Sequence, residues 1–482
     1  MINLLSTLQT SSNALSAFDQ ALAVVQNNVA NASTPGYANE TASLEAMPFD
    51  LTSGSMGGVR AGQVQSARDE YAEQAVRKQE TAVGYDQQSV NSLQSLQSLF
   101  DVTGASGIST ALNTLYQSFS AWGQSPDDAT ARQNVIDAAG QVATAFQQTA
   151  GGLAQLEQDT EGQLQQTVDQ VNQLVGQLQQ INTEIMGGDQ NDAGLDAQTH
   201  SLLEQLSQYV DCNASFQPDG TVTITLNDRT PLLVGNQQYS LSYANAMPTN
   251  PPPAYPQAAP DAHIYASDGT DITSATTGGQ LGALLNLRNS VLPSYLGDAY
   301  QAGDLNTMAK QFADRVNQLL TSGLQSDDTT PGAALFQYDT SNDTNVAATL
   351  SVDPAVTQDQ LGAIDPGPPS VSNGIPLALS NLASPQAAAD EINGESYSSF
   401  YGSLAARAGS DLNNANGDLQ ASQANLAQAQ QLRQQTSGVS LDEEATQMIE
   451  FQRAYEANSE LITVLDQITL DTIDILQPSV TA

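Results

Sequence analysis

Both ends of this 482-residue chain are written as long amphipathic helices, so whatever lies between must be a body that leaves those helices somewhere to pack. From the N-terminus, Leu4, Leu8, Ser11, Leu15, Phe18, Leu22, Val25, Val29 and Ala32 fall at alternating steps of four and three, a heptad seam in which Ser11 alone is polar. Asp19 is the only charged residue before Glu40. A helix with one face in water carries charge there, so this one expects protein on more than one side. The seam stops at Asn31-Ala32-Ser33-Thr34-Pro35-Gly36-Tyr37, where Pro35 disfavours helical geometry at Thr34 and Gly36 is free to take positive φ. An ordinary core helix would show the same seam. The far end shifts the reading: Ser440 with Glu443 three residues on is a capping-box pattern, and Asp442 and Glu444 add favourable negative charge at a helix start. Beyond it Met448, Phe451, Tyr455, Ile462, Leu465, Thr469, Thr472 and Leu476 step by three and four, broken at Asn458, while Leu461, Ile468 and Ile475 widen the stripe. Two such ends favour burial between subunits over pairing inside a closed monomer.

These residues resemble a family. Ala30-Asn31-Ala32-Ser33-Thr34-Pro35-Gly36-Tyr37 is similar to the A-N-x-x-T-P-G-Y signature near the N-terminus of the rod, hook and hook-associated proteins of the bacterial flagellum. Ser437-Gly438-Val439-Ser440-Leu441-Asp442-Glu443-Glu444-Ala445, followed by Phe451-Gln452-Arg453-Ala454-Tyr455, is similar to the C-terminal segment of the same group. With the length and the middle region, the chain most resembles the hook-associated protein 1 family. The likeness is sharp at the two ends and diffuse between them; where the family has a basic–acidic pair ahead of a strand, this chain has Gln198-Thr199-His200. The resemblance implies a structural adaptor at the junction of hook and filament. Its partners would be other copies in a ring, the hook protein, the next hook-associated protein, and a cytoplasmic export chaperone at the C-terminal helix. It also implies an extracellular place in the flagellum, reached through type III export without a cleaved peptide. The expected assembly seam is Leu4, Leu8, Leu15, Phe18, Leu22, Val25 and Val29 with Met448, Phe451, Tyr455, Leu461, Ile462, Leu465, Ile468 and Leu476. The motif residues are Ala30, Asn31, Thr34, Pro35, Gly36, Tyr37, Gly438, Leu441, Glu443 and Glu444. Another flagellar axial protein, of hook or filament type, is the alternative within the same machine. From a different class, a secreted acidic enzyme or carbohydrate-binding protein is the alternative.

Charge narrows the partners. With 52 acidic against 12 basic residues the net charge is −40, which disfavours nucleic acid and anionic membrane surfaces. No uninterrupted apolar run is long enough to span a bilayer. The N-terminus has no basic region, the first arginine being Arg60, so a cleaved secretory signal is not expected. One cysteine excludes an internal disulfide.

The chain between the ends reads as helices around a β-rich insert. A weak strand or hairpin is expected around Val59, Ala61 and Val64, then helices from about Ala67 to Phe100, from Ile108 to Trp122, and from Ala129 to Ile185 with a break at Gly151-Gly152. Val210, Cys212, Ala214 and Phe216 alternate with polar residues, Pro218-Asp219-Gly220 turns, and Val222, Ile224 and Leu226 alternate again, which is a hairpin with Cys212 on its buried face. Leu232-Leu233-Val234 and Tyr239 to Tyr243 would extend the sheet, with a proline-rich spacer from Pro248 to Pro260, and a strand is possible at Ala347 to Val352. Helix resumes from Gly278, and a last helix carries Leu412, Ala415, Leu419 and Leu426. The fold class is therefore mainly α with a β-rich insert. Its parts are expected as an axial core of residues 1–65 and 436–482, a helical bundle of 66–190, 279–325 and 395–435, a β domain of 200–278, and a small irregular or β-containing segment of 326–394.

No chemistry is legible. His200 and His263 are the only histidines, lack the partners a metal or catalytic site needs, and read as surface or loop residues. Asp189-Gln190-Asn191-Asp192 echoes a calcium loop whose twelfth position would be His200 instead of glutamate. Nucleotide-binding and serine-hydrolase motifs are absent. The expectation is a protein with no catalytic, cofactor-binding or metal-binding residues.

Overall fold

The computed structural model describes residues 2–50, 55–100, 107–188, 192–227 and 229–476. It is mainly helical with a β-rich insert. The order begins with α1 (Ile2–Asn31), strands β1 (Glu40–Ala46), β2 (Phe49–Asp50), β3 (Ser55–Met56) and β4 (Val59–Ser66), then α2 (Glu70–Gln97), α3 (Ile108–Gln124), α4 (Ala129–Gly187) and α5 (Ala193–Tyr209). The insert holds β5 (Cys212–Phe216), β6 (Val222–Leu226), β7 (Thr230–Val234), β8 (Gln237–Gln238), β9 (Ser242–Ala246) and β10 (Asp261–Tyr265). Short helices α6 (Gly279–Asn286) and α7 (Leu292–Leu296), α8 (Asp304–Ser322), β11 (Phe336–Gln337), α9 (Val346–Thr349), β12 (Ser351–Val352) and α10 (Gly374–Ser380) follow. The chain closes with α11 (Tyr397–Ser437) and α12 (Leu441–Leu476).

Two hydrophobic cores are threaded on one helix. At 59 residues, α4 is about 88 Å long. Its first half puts Val135, Val142, Phe146 and Leu153 into a core with Trp122 of α3, Phe312 of α8 and Tyr401 of α11. Its second half puts Leu164, Val168, Val171, Val175 and Leu178 into another, with Leu203 of α5, Ile224 of β6, Leu233 of β7 and Leu284 of α6. The expected break at Gly151-Gly152 does not occur. Nothing lies within 4 Å of where a Gly151 Cβ would sit, while one on Gly152 would meet Leu99 Cδ2 at 2.8 Å, so Gly152 serves close packing within a continuous helix.

The insert forms an antiparallel sheet in the order β5-β6-β7-β8, with the hairpin register Cys212↔Leu226 to Phe216↔Val222. Tyr239 to Tyr243 does not extend it. The fourth strand is Gln237–Gln238, and Ser242–Ala246 turns away to pair with Asp261–Tyr265 across the proline-rich loop. Near the N-terminus the hairpin is longer than its composition suggests, because Glu40–Ala46, polar and not strictly alternating, pairs along Val59–Ser66. Most of Ala347 to Val352 is not strand: Val346 and Ala347 are fully buried in helix α9, and only Ser351–Val352 pairs, with Phe336–Gln337.

The end helices pair with each other. α12 starts beside the end of α1, where Asn28 meets Glu444, so the two run antiparallel. The buried line of α1 is Ser11, Ala14, Ala17, Ala21, Val24, Val25 and Asn28, small enough to let two helices approach closely. Apart from Ser11 and Val25, which belong to both, it lies one residue before the seam of large residues, about 100° round the helix. Leu8, Leu15, Phe18 and Leu22 are only half-buried, Val25 is buried, and Val29 is exposed. On α12, Met448, Phe451, Ile462 and Leu465 are half-buried, while Tyr455, Leu461, Val464 and Ile468 are exposed. The side chains of Leu4 and Leu476 lie outside the described residues.

Candidate functional site

Where the end helices meet the body, the chain builds a dense polar joint. The N-terminal motif is its turn. Asn31 Nδ2 donates to the Asn27 carbonyl at 3.0 Å, Thr34 Oγ1 donates to Asn31 Oδ1 at 3.1 Å, and the Tyr37 amide closes on the Thr34 carbonyl at 3.2 Å. Pro35 cannot continue the helix. Gly36 then takes φ +74°, and a Cβ there would sit 2.3 Å from the Ala197 carbonyl oxygen of α5, so the turn is both left-handed and pressed against the body. The turn delivers Tyr37 back onto α1, where its hydroxyl donates to Asn28 Oδ1 at 2.9 Å. Burial, with Glu40 and Glu444 nearby, pushes the Tyr37 hydroxyl up to about 12, which keeps it a donor.

Asn28 is 1% exposed and holds four segments. Its Oδ1 also accepts the Glu40 amide at 3.0 Å, and its Nδ2 donates to Asn39 Oδ1 at 2.8 Å, the Glu40 carbonyl at 2.7 Å and Glu444 Oε2 at 3.1 Å. One side chain thereby ties α1, the motif turn, the start of β1 and the start of α12. Across from it the Asn39 amide donates to the Ser437 carbonyl at 2.9 Å, and Ser437 Oγ accepts the Asp69 amide at 3.0 Å. At the start of α12, Ser440 Oγ accepts the Glu443 amide at 3.4 Å.

A charged cluster underlies the turn. Arg68 Nη2 donates to the Gly36 carbonyl at 2.7 Å, its Nη1 to Glu73 Oε1 at 2.6 Å, and its Nε and Nη2 both to Asp196 Oδ2. Glu73, 1% exposed, also takes Arg433 of α11 at 3.2 Å, and Arg433 reaches Glu204 of α5. The sides of this box are charged and its floor is His200, stacked on Phe216 at 4.8 Å between centroids. His200 is 1% exposed, which corrects its reading as a surface or loop residue. The four-residue spacing from Asp196 on α5 turns both inward onto the joint. Burial, reinforced by Arg68, Arg77 and Arg433, holds its imidazole well below the ordinary range and therefore neutral.

Of the C-terminal motif, Glu444 is 1% exposed and Gly438 is half-buried, while Leu441 and Glu443 are exposed. In the N-terminal motif Ala30, Thr34 and Pro35 are exposed and Asn31, Gly36 and Tyr37 half-buried. Sequence reasoning missed Asn28, Arg68, Glu73, Asp196 and Arg433. The signal for the charged ones was their rarity, since only 13% of residues are charged. For Asn28 it was a polar residue one step off the seam.

The joint is built to hold chain segments, not to transform a substrate. Most of its donors and acceptors are spent on one another, the His200 ring nitrogens being buried without a hydrogen-bond partner, and among the described residues no group of three His, Cys, Asp or Glu could hold a metal ion. Burial pushes the thiol of half-buried Cys212 up to about 12, which disfavours its thiolate. Nor is any helix among the described residues long and apolar enough to cross a membrane. A helical body with paired end helices, a motif turn between them and a β-rich insert defines a structural protein of the flagellar axial type. Residues 93–336 match the family model of the helical domain of flagellar hook-associated protein FlgK, and the chain belongs to that family. Residues 8–37 match the model for flagellar basal body rod proteins, and residues 430–475 that for the C-terminal part of the FlgEFG rod proteins. Flagellar hook-associated protein 1 of Bacillus subtilis is 28% identical over 96% of this chain and 96% of its own length. The protein of that name from Salmonella typhimurium is 24% identical over 67% of this chain and 58% of its length. A structure of the flagellar hook junction protein FlgK from Burkholderia pseudomallei is similar at a TM-score of 0.48 and 23% identity, over 55% of this chain and 47% of that one. The chain is thus a structural protein of the flagellum and not an enzyme. It takes its place in the extracellular axial structure with other flagellar components.

Proposed function

We propose that this chain is the adaptor between hook and filament, and that its copies associate as a ring through the end helices. The observation that carries this is the division of labour on α1. Its small residues, Ala14, Ala17 and Ala21, are buried within the chain, where α1 packs on α12 and on the β1–β4 hairpin, while Leu15, Phe18 and Leu22 are half-open on the flank and Val29 is exposed. On α12, Leu461, Val464, Ile468 and Ile475 fall on one face and are 44–83% exposed. Apolar faces on two adjacent helices mark an interaction surface. Fully burying such side chains stabilises by roughly 1.5–3 kcal/mol each, so covering them with neighbouring copies, hook protein or the next hook-associated protein would drive assembly. Export through the type III apparatus and escort by a chaperone at α12 belong to the same reading: until assembly, that face needs cover. The joint then fixes the angle at which the body leaves the axial core.

Electron microscopy of isolated flagella carrying a labelled version should place the label at the hook–filament boundary. Replacing Leu461 and Ile468 with serine should leave monomer melting nearly unchanged and abolish incorporation. Label spread along the filament, or undiminished incorporation of the double variant, would overturn the reading.

A further inference from the structure

Beside the joint, between α2 and the edge of the sheet, lies a cavity of about 490 Å³ lined by Tyr71, Arg77, Lys78, Asp211, Cys212 and Asn227 among others. Its electrostatics stand out in so acidic a chain. Arg60, Arg68, Arg132, Arg288, Lys310, Arg315, Arg407 and Arg433 each have a carboxylate oxygen within 3.8 Å. Lys78, like Arg229 and Arg453, has none among the described residues, although 52 acidic residues are available, and it is exposed. Arg77, one residue before it, is 7% exposed, reaches Glu70 only at 3.9 Å, and its Nη1 is buried without a hydrogen-bond partner. A buried guanidinium N–H without an acceptor is a costly feature. Tyr71 stands at the rim 86% exposed, an aromatic with a polar tip of the kind that anchors protein contacts.

We propose that this cavity receives an aspartate or glutamate side chain from a neighbouring copy of the chain, which rests on the assembly reading above. The chemistry is that of a carboxylate: Lys78 offers an exposed cation at the rim, and Arg77 in the wall adds a second positive charge. The occupant is another copy because charge selects it. Each copy carries a net charge of −40, so neighbouring bodies repel unless carboxylates of one meet unpaired cations of the other. Asp211 also lines the cavity and Glu70 stands 3.9 Å from Arg77, so like charge limits the site to a single acid. The Cys212 thiol contributes wall.

The test uses the full-length protein in cells that assemble flagella. A photoreactive p-benzoylphenylalanine at position 71 is irradiated in isolated flagella and the products are identified by mass spectrometry. The expected product is a covalent dimer of this chain joined to a segment containing Asp or Glu. Its yield should fall at least tenfold with Lys78→Glu and be retained with Lys78→Arg, at unchanged melting temperature. A cross-link to another protein, no dimer, or a yield indifferent to Lys78→Glu would overturn the proposal while leaving the assembly reading standing. Absence of the unmodified chain from isolated flagella would instead overturn the assembly reading and this inference with it.

Discussion

Asn28 and Glu444, 416 residues apart in sequence, share a buried hydrogen bond of 3.1 Å at the point where both end helices leave the body. Glu444 is thereby held at the head of α12, where a carboxylate also suits the helix dipole. Each side chain is 1% exposed, so neither can turn to water when the other is removed.

Replacing Asn28 with alanine should therefore strand the Tyr37 hydroxyl, the Glu40 amide and Glu444 together. Each unpaired buried group costs about 1–3 kcal/mol, yet the body's cores do not include this position. Hydrogen exchange should accelerate across residues 2–31 and 441–476 while Leu112 and Phe146 stay protected. Uniform loss of protection would show that the joint and the body unfold as one unit.

Gly36→Ala tests the turn. The left-handed φ of +74° and the Ala197 oxygen 2.3 Å from the new Cβ should together cost roughly 1–3 kcal/mol. Gly151→Ala, on the exposed face of α4 with nothing within 4 Å, should instead stabilise by about 0.5–1 kcal/mol. Opposite shifts in melting temperature are the expected result; equal behaviour of the two variants would refute the account of Gly36.

The buried histidine predicts a pH dependence. His200 is held below its ordinary pKa by burial and by Arg68, Arg77 and Arg433, while Glu70, Glu73 and Asp196 stand 3.5–3.9 Å from its ring. Because the unfolded chain takes up the proton first, stability is full above about pH 6.5 and is lost as pH falls, by at most about 1.4 kcal/mol per pH unit. Glu70 and Glu204 are raised by burial, so their protonation on folding opposes this loss. Denaturant titrations at pH 7 and pH 5 should show the loss, and His200→Leu should remove most of it. A slope that survives the substitution would assign it elsewhere.

Much of this architecture was readable because periodicity reports burial. The seams marked both end helices, the alternation from Val210 to Leu226 marked the hairpin, and the Thr34-Pro35-Gly36 stop fell where α1 ends. The joint was not readable, since it depends on residues brought together by the fold: Arg68 reaches Asp196 and Gly36, and Arg433 reaches Glu73. The face of α1 used within the chain escaped for a different reason. Leucine and phenylalanine dominate a hydrophobic pattern, whereas the alanines that allow closest approach look neutral in it.

The shared length of α4 bears on whether the insert is separable. Helices that resume on both sides of an insert would let a bundle close without it, and removing Val210 to Tyr265 would then spare assembly. In the fold, Val168, Val171, Val175 and Leu178 of α4 pack against Ile224, Leu233 and Ile264 of that segment. Deleting it would uncover these side chains, along with Leu203 and Leu206 of α5, each losing about 1.5–3 kcal/mol of burial. α5 would loosen with them, and α5 supplies the Ala197, Asp196 and His200 side of the joint. A variant lacking residues 210–265, closed with a short Gly/Ser linker, should thus melt well below the intact chain, bind a hydrophobic dye and exchange residues 164–206 quickly. A deletion variant that keeps the parent's melting temperature and protection over 164–206 would show that the second half of α4 needs no sheet, and that the joint stands without it.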